Sequence, residues 1–285
     1  MRISISGSTG FIGSELSAFF SGLGYEVVAL RREDFAKGVN HLATKTEGSQ
    51  FIINLAGAPI IGRWTRSYSR KLWHSRIDTT RMLKEAIATM QIRPKAFISA
   101  SAVGFYSQEG VHTEEQFAQD PEFLGTLCQS WEEEAQKAAV FCSVYIIRIG
   151  IVLGERGGAL PQMALPFRLG VGGKIGTGKQ MISWIHLSDL LSALQWIIEK
   201  EPESQVFNLT APNPVSNAAF SSALARTLRR PNFLPVPSFV LRLLYGEGAV
   251  VLLSGQHVLP HNLLKAGFSF RFEKVEDALQ DLLAK

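Results

Sequence analysis

The sequence of 285 residues predicts an α/β fold. It reads as a doubly wound parallel sheet of the Rossmann type with a small, mainly helical C-terminal domain on the substrate side. Three observations carry this expectation. Gly7, Gly10 and Gly13 separate a short apolar run from a helical pattern. Further apolar runs (25–30, 50–55, 94–100, 143–149 and 206–209) alternate with helical stretches, as βαβ units do. From Pro212 the composition shifts, with Pro231, Pro235 and Pro237 ahead of apolar helical runs at 239–253 and 262–266 and a last helix near 273–284. The expected division is 1–210 for the sheet domain, with 155–181 as a glycine-rich loop excursion, and 211–285 for the appended domain.

Composition narrows the class. Apolar residues make up 46% and charged residues 19%, which describes a chain able to bury a sizeable core. The net charge of +4 suits acidic small molecules but is too small to argue for nucleic acid. Two cysteines, Cys128 and Cys142, make neither a disulfide framework nor a metal cluster, so no metal is expected and a reducing cytoplasm is the expected compartment. The first strand starts at residue 2, which argues against a signal peptide. The apolar run 239–253 contains Arg242 and Glu247 and is too short to span a bilayer, so no membrane contact is expected.

Taken in order, Arg2 to Ser6 suits a buried strand, and the helical pattern begins with Phe11, Ile12 and Leu16. A helix that opens on a glycine turn offers unpartnered N–H groups and a positive dipole end to an anion. Gly7 permits the turn, Gly10 lets a diphosphate near the main chain, and Gly13 lets helix and strand pack closely. The strand at 25–30 ends in Arg31 and Arg32, beside the place where a dinucleotide puts its adenine ribose. Arginine there suits the 2′-phosphate of NADP, while Asp34 is the one neighbour that argues for NAD.

Residues 33–49 read as loop with a short strand near Val39–Leu42. The strand at 50–55 closes on Asn54, Leu55, Ala56 and Gly57, at the sheet edge where such folds bind ligands. Arg63 to Arg81 is basic and aromatic, but Leu72, Ile77, Leu83 and Ala86 give it a helical inner face, so its charges read as a solvated or subunit-facing side. The strand at 94–100 ends in Ser99, Ala100 and Ser101 and runs on to Tyr106. Residues 124–140 read as helix, and 143–149 leads into Gly150. Gly173 to Lys179 fails as a phosphate loop, because Gln180 stands where Ser or Thr is needed and no strand precedes it. Met181 to Asp189 reads as strand opening a helix at Leu190.

The ordered set GSTGFIG, NLAG, SASAVGFY, IRIGIVLG, SWIHLSDL and FNLTAPNPVSN resembles the extended short-chain dehydrogenase/reductase superfamily. More narrowly it is similar to the atypical NAD-dependent epimerase/dehydratase-like branch, whose C-terminal domain of unknown function is matched by LPVPSFVLRLLYGE, LLSGQHVLP and LLKAGFSFRF. The resemblance implies an NADP(H) site. Gly7, Thr9, Gly10, Phe11, Ile12 and Gly13 would cradle the diphosphate, and Arg31 or Arg32 would hold the 2′-phosphate. Asn54, Leu55, Ala56 and Gly57 would line the adenosine side. Ser99 and Ala100 would lie near the nicotinamide with Ile149 and Gly150 beneath it, and Ser101 would be the active-site hydroxyl. Trp184, Ile185, His186 and Asp189 would border the substrate cleft. A homodimer through surface helices is the superfamily's habit.

The superfamily's Tyr-x-x-x-Lys pair, in which the lysine lowers the tyrosine's pKa, has no counterpart here. Spacing after Ser101 puts Leu127 and Trp131 in its place. Tyr106, His186, Cys128 and Glu132 are the substitutes available for proton transfer, and Ser101, Tyr106 and His186 are the catalytic candidates. Two functions stay open: an oxidoreductase or epimerase-like enzyme acting on a small molecule, or a protein that senses NADP(H) without catalysis.

Overall fold

A computed structural model describes residues 1–284. Its centre is a six-stranded parallel sheet: β1 (Arg2–Ser6), β2 (Glu26–Leu30), β3 (Phe51–Asn54), β4 (Ala96–Ala102), β5 (Ser143–Ile149) and β6 (Val206–Leu209). The spatial order is β6-β5-β4-β3-β1-β2. The chain winds outward from β1 to β2, then returns to β3 and proceeds the other way. The order therefore reverses between β1 and β3, and their carboxyl ends flank the crevice that open α/β sheets use for ligands.

Period-two alternation sorts the strand residues onto two faces. Ile3, Ile5, Ile53, Ile98 and Ile147 pack with Leu16, Phe20, Leu190 and Leu194 from the helices Phe11–Gly22 and Leu187–Lys200. Ile52, Phe97, Val144 and Ile146 point the other way, onto Leu42, Leu83, Ala86, Ile87 and Ala135 from the helices Val39–Thr46, Arg66–Thr89 and Phe123–Gln136. Strands covered on both faces read as the continuous apolar runs seen in the sequence.

Several expected elements differ. Val39–Leu42 is not a strand: a helix spans Val39–Thr46, because Leu42, Ala43 and Thr46 fall on one face at helical spacing and are buried. The segment 155–181 is not all loop, since it carries the helix Leu160–Arg168, whose Leu160, Ala164 and Phe167 are buried. The helix expected at Leu190 starts at Leu187, with His186 as its N-cap. The run 239–253 breaks at Gly246, whose φ of 58° ends the helix Ser238–Tyr245 before a short helix at Val250–Leu253.

The C-terminal helices share their packing with the sheet domain. Phe268 and Phe270 join the main cluster, with Phe268 edge-on to Trp196. Phe220, Leu224, Val275 and Leu279 pack with Leu153, Leu160, Phe167 and Trp184. The Asp189 carboxylate accepts the backbone N–H groups of Arg271 and Phe272, both at 2.9 Å, and so pins the incoming chain to the start of the helix Leu187–Lys200. No described helix is long and apolar enough to cross a membrane.

Asp189→Ala leaves two N–H groups without their acceptor, a loss of about 2–4 kcal/mol. The expected result is a clear drop in the thermal unfolding midpoint, and an unchanged midpoint would show that this clamp does not hold the C-terminal region.

Candidate functional site

The crevice between β1 and β3 opens on the glycine turn. Gly7 has φ of 70°, and a Cβ there would lie 2.7 Å from the Leu55 carbonyl oxygen. A Cβ on Gly13 would lie 2.2 Å from the Gly7 carbonyl oxygen, so the first helical turn sits directly on the turn. The Gly10 N–H closes it by donating to the Gly7 carbonyl at 2.9 Å. No side chain caps the helix, and no acidic residue occupies its first turn. The Ser8 hydroxyl oxygen, buried in this turn, has no hydrogen-bond partner. An anion-shaped cradle lined by backbone amides with an orphaned hydroxyl fits a diphosphate.

Phe11 and Ile12 are the first two residues of the helix that follows the turn. The Phe11 ring packs under the segment Gly154–Gly158, where Cβ atoms on Gly154, Gly157 and Gly158 would fall within 2.3–2.7 Å of it. Ile12 packs against the main core. Thr9 is exposed on the turn.

At the next strand end, Arg31 and Arg32 are exposed and make no ion pair among the described residues. Asp34 is otherwise engaged. Its buried carboxylate accepts from Lys45 Nζ at 2.7 Å, from the Arg31 N–H at 2.8 Å and pairs with His41 Nε2 at 3.0 Å. Burial pushes its pKa up, but these hydrogen bonds outweigh it and hold the carboxyl well below the usual carboxylate range. The residue that argued for NAD is therefore closed inside its own cluster.

Asn54 shapes the crevice without facing it. Its side chain accepts from the Ser6 hydroxyl at 2.6 Å and from the Ala56 N–H at 3.3 Å, and donates to Thr80 at 2.8 Å. Leu55 packs on the main core, while Ala56 is half-buried and Gly57 exposed beside the Arg76 guanidinium. Arg76 is a residue the sequence reading missed. It turns inward from the basic helix, donates to the carbonyls of Ala58 and Leu72, both at 3.1 Å, and lies over the Trp131 ring. One inward arginine among several outward ones carries no sequence signal.

Ser99 and Ala100 are buried in β4, with Ile149 and Gly150 at the end of β5. A Cβ on Gly150 would lie 2.4 Å from the Ser183 carbonyl oxygen. Ser101 donates to Glu132 Oε1 at 2.6 Å. Glu132 is clamped by Arg148, with Nε to Oε1 at 2.8 Å and Nη2 to Oε2 at 2.7 Å. Three donors converge on this carboxylate, so it holds the hydroxyl proton of Ser101 toward itself. Arg148 also donates to the Tyr106 hydroxyl at 2.8 Å, and Tyr106 donates to Asn208 Oδ1 at 2.7 Å. A single arginine inside the apolar strand SVYIIRI was the sequence signal for this network.

The two other catalytic candidates are corrected. Tyr106 has no exposed surface, its hydroxyl is enclosed by Arg148 and Asn208, and burial pushes its pKa up to about 12. His186 is buried and engaged by other partners. It caps the helix Leu187–Lys200 through Nδ1, stacks on Phe272 at 4.0 Å and points Nε2 at Asp281 at 3.4 Å. Burial lowers its pKa against the pull of Asp281 and Asp189. Trp184, Ile185 and Asp189 are likewise buried, packing in the core and holding the C-terminal segment. Leu127 and Trp131 face the helix Arg66–Thr89, with Trp131 donating to Thr80 at 2.9 Å. One residue further on, Cys128 and Glu132 face Ser101, and burial pushes the Cys128 thiol up to about 12.

A cleft of about 1020 Å³ lies beyond these strand ends, between the start of the helix Arg66–Thr89 and the C-terminal segment. Trp64, Phe123, Leu124 and Val250 form its apolar wall, with Arg66, Arg70 and Glu247 among its charged groups. These residues come from distant parts of the chain, and no local pattern in the sequence joins them.

The model of the NAD dependent epimerase/dehydratase family matches residues 3–210, and a domain of unknown function, DUF1731, matches 236–282. The chain belongs to that family. Epimerase family protein YfhF of Bacillus subtilis (strain 168) is 38% identical over 300 residues, covering 100% of this chain and 98% of its own. Human epimerase family protein SDR39U1 (isoform 2), solved with NADPH, superposes with a TM-score of 0.91 at 32% identity, covering 100% of this chain and 99% of its own. A nucleoside-diphosphate sugar epimerase from Corynebacterium glutamicum gives 0.82 at 30% identity, with 100% of this chain matching 59% of that one. The extended short-chain dehydrogenase/reductase type inferred from the motifs agrees with these matches.

A carboxyl whose folded pKa lies below its unfolded one stabilises at pH above the unfolded value and loses that contribution as pH falls. Asp34→Asn is therefore expected to cost about 1–3 kcal/mol at neutral pH in urea unfolding. The gap to the native chain should close as pH drops below about 3.9. A gap independent of pH would contradict the charged role of Asp34.

Proposed function

We propose that this chain is an NADP(H)-binding oxidoreductase or epimerase-like enzyme that acts on a small molecule without a Tyr-x-x-x-Lys pair. The observation that carries the reading is the pairing of an open glycine cradle with two unpaired arginines at the end of β2, while Asp34 is consumed. The human relative solved with NADPH supports the same cofactor.

In this reading the amides at the start of the helix Phe11–Gly22 and the Ser8 hydroxyl bind the diphosphate. The Arg31 guanidinium, with Arg32 beside it, binds the 2′-phosphate through paired donors. When bound, the nicotinamide supplies hydride transfer. Ser101, whose own proton is held by Glu132, presents oxygen lone pairs and accepts a hydrogen bond from a ligand hydroxyl or amide. Trp64, Phe123 and Leu124 give the substrate an apolar wall that excludes water. The compartment is the cytoplasm, where Cys128 and Cys142 stay reduced.

A second reading is a non-catalytic NADP(H) sensor or scaffold. The enclosure of Tyr106 and His186 favours it, because neither offers an open proton donor at Ser101. Single-turnover oxidation of bound NADPH by carbonyl, sugar-nucleotide or quinone substrates separates the two, and no turnover with tight NADPH binding would select the sensor.

Calorimetry tests the cofactor. NADPH is expected to bind more tightly than NADH, and Arg31→Ala should weaken NADPH by roughly 10- to 100-fold while sparing NADH. Equal losses for both would contradict the arginine assignment. No heat with either dinucleotide would end the proposal.

A further inference from the structure

Residues 156–188 and 204–246 contain no aspartate or glutamate, and each stretch carries four lysines or arginines. Taking these eight from the chain's 29 basic residues leaves 21 against 25 acidic ones, so the positive excess resides in these two stretches. The fold brings the two together. The Val236 N–H donates to the Lys174 carbonyl and the Gly176 N–H to the Val236 carbonyl, both at 2.9 Å. A Cβ on Gly173 would lie 2.1 Å from the Leu234 carbonyl oxygen.

The same stretches hold the largest concentration of exposed apolar side chains. Leu169, Val171, Phe233, Phe239, Leu243 and Leu244 are each between 51% and 75% exposed. In the helix Ser238–Tyr245, Leu241 is buried and anchors the helix, while Phe239, Leu243 and Leu244 stand outward with Arg242 among them. Arg168, Lys174, Arg229, Arg230 and Arg242 are exposed, and none makes an ion pair among the described residues.

We propose that this face docks on a bilayer surface rich in anionic glycerophospholipids. Phe239, Leu243, Leu244 and Phe233 would enter the headgroup–acyl boundary, and the surrounding arginines and lysines would pair with the lipid phosphates. A second copy of the chain fits poorly, because a two-fold contact sets the patch against itself and brings like charges together. The apolar side chains stand out from the surface, and none of them lines either cavity of about 1020 or 710 Å³. A fluid apolar layer beneath anionic headgroups needs no pocket to receive them. The expectation of no membrane contact came from the absence of a spanning segment, and a chain that lies on a bilayer needs none. This inference is independent of the cofactor reading.

Vesicle flotation of the full chain tests it. The protein should float with vesicles of phosphatidylcholine and phosphatidylglycerol mixed equally, should not float with phosphatidylcholine alone, and should detach at high salt. Arg229→Glu with Arg230→Glu should lower the partition by about fivefold or more per cation. Phe239→Ser with Leu243→Ser should lower it at least as far, at an unchanged melting temperature for these exposed positions. Free glycerol phosphate should not compete.

Absence of flotation with the anionic vesicles would overturn the proposal, as would flotation of either variant equal to that of the native chain. Competition by glycerol phosphate would replace the surface with a simple phosphate site. A dimer in sedimentation velocity that the Phe239→Ser, Leu243→Ser variant dissolves would assign the face to a second copy. Binding of polyglutamate by the native chain and not by the arginine variant, with no flotation of the native chain at low salt, would overturn the proposal and assign the face to an acidic protein.

Discussion

The interior of this protein is organised by one ion pair, Glu132 with Arg148. Arg148 lies on a central strand and Glu132 on the covering helix, joined by two hydrogen bonds of 2.7 and 2.8 Å. Buried pairs of this kind add little net stability, but removing one partner leaves an uncompensated charge. The pair therefore works as a constraint. It fixes the direction of the Ser101 hydroxyl, and its guanidinium lies 3.7 Å from the Phe105 ring centroid while donating to Tyr106. Burial works against the charge on Arg148, and the Glu132 carboxylate more than compensates, so the guanidinium's pKa rises.

From Tyr106 the polar chain continues into the C-terminal region. Asn208 accepts from Tyr106, donates its side-chain N–H to the Leu259 carbonyl at 2.9 Å and its backbone N–H to Glu114 at 2.7 Å. Glu114 also accepts the Asn262 N–H at 3.3 Å. The serine at the end of β4 is thus coupled, bond by bond, to the C-terminal segment. At the other end of the sheet the logic is different: the glycine turn is built from backbone, and side chains such as Asn54 and Asp34 fix the neighbouring strand ends and turns.

The strands, the glycine turn and the presence of Arg31 and Arg32 at the end of β2 were legible because each is a local pattern. Apolar runs buried on both faces, and glycines at 7, 10 and 13, need no knowledge of partners. The helix at Val39–Thr46 was less visible because only Leu42, Ala43 and Thr46 are buried and the polar Asn40, His41, Thr44 and Lys45 flank them. His186, Trp184 and Asp189 sit in a motif that resemblance places at a substrate cleft, yet their environment is made by Phe272, Asn213 and Arg271, far along the chain.

By itself the sequence determined the doubly wound sheet, the glycine turn and the basic strand end, since periodicity and glycine geometry act over a few residues. Only the tertiary structure decided which polar side chains remain open. Enclosure of Tyr106, capture of Asp34 by Lys45 and His41, and the pairing of the segment around Lys174 with that around Val236 all depend on contacts between distant segments. Whether a group is solvated, paired or buried is a property of its neighbours in space, and those neighbours come from parts of the chain that local pattern does not connect.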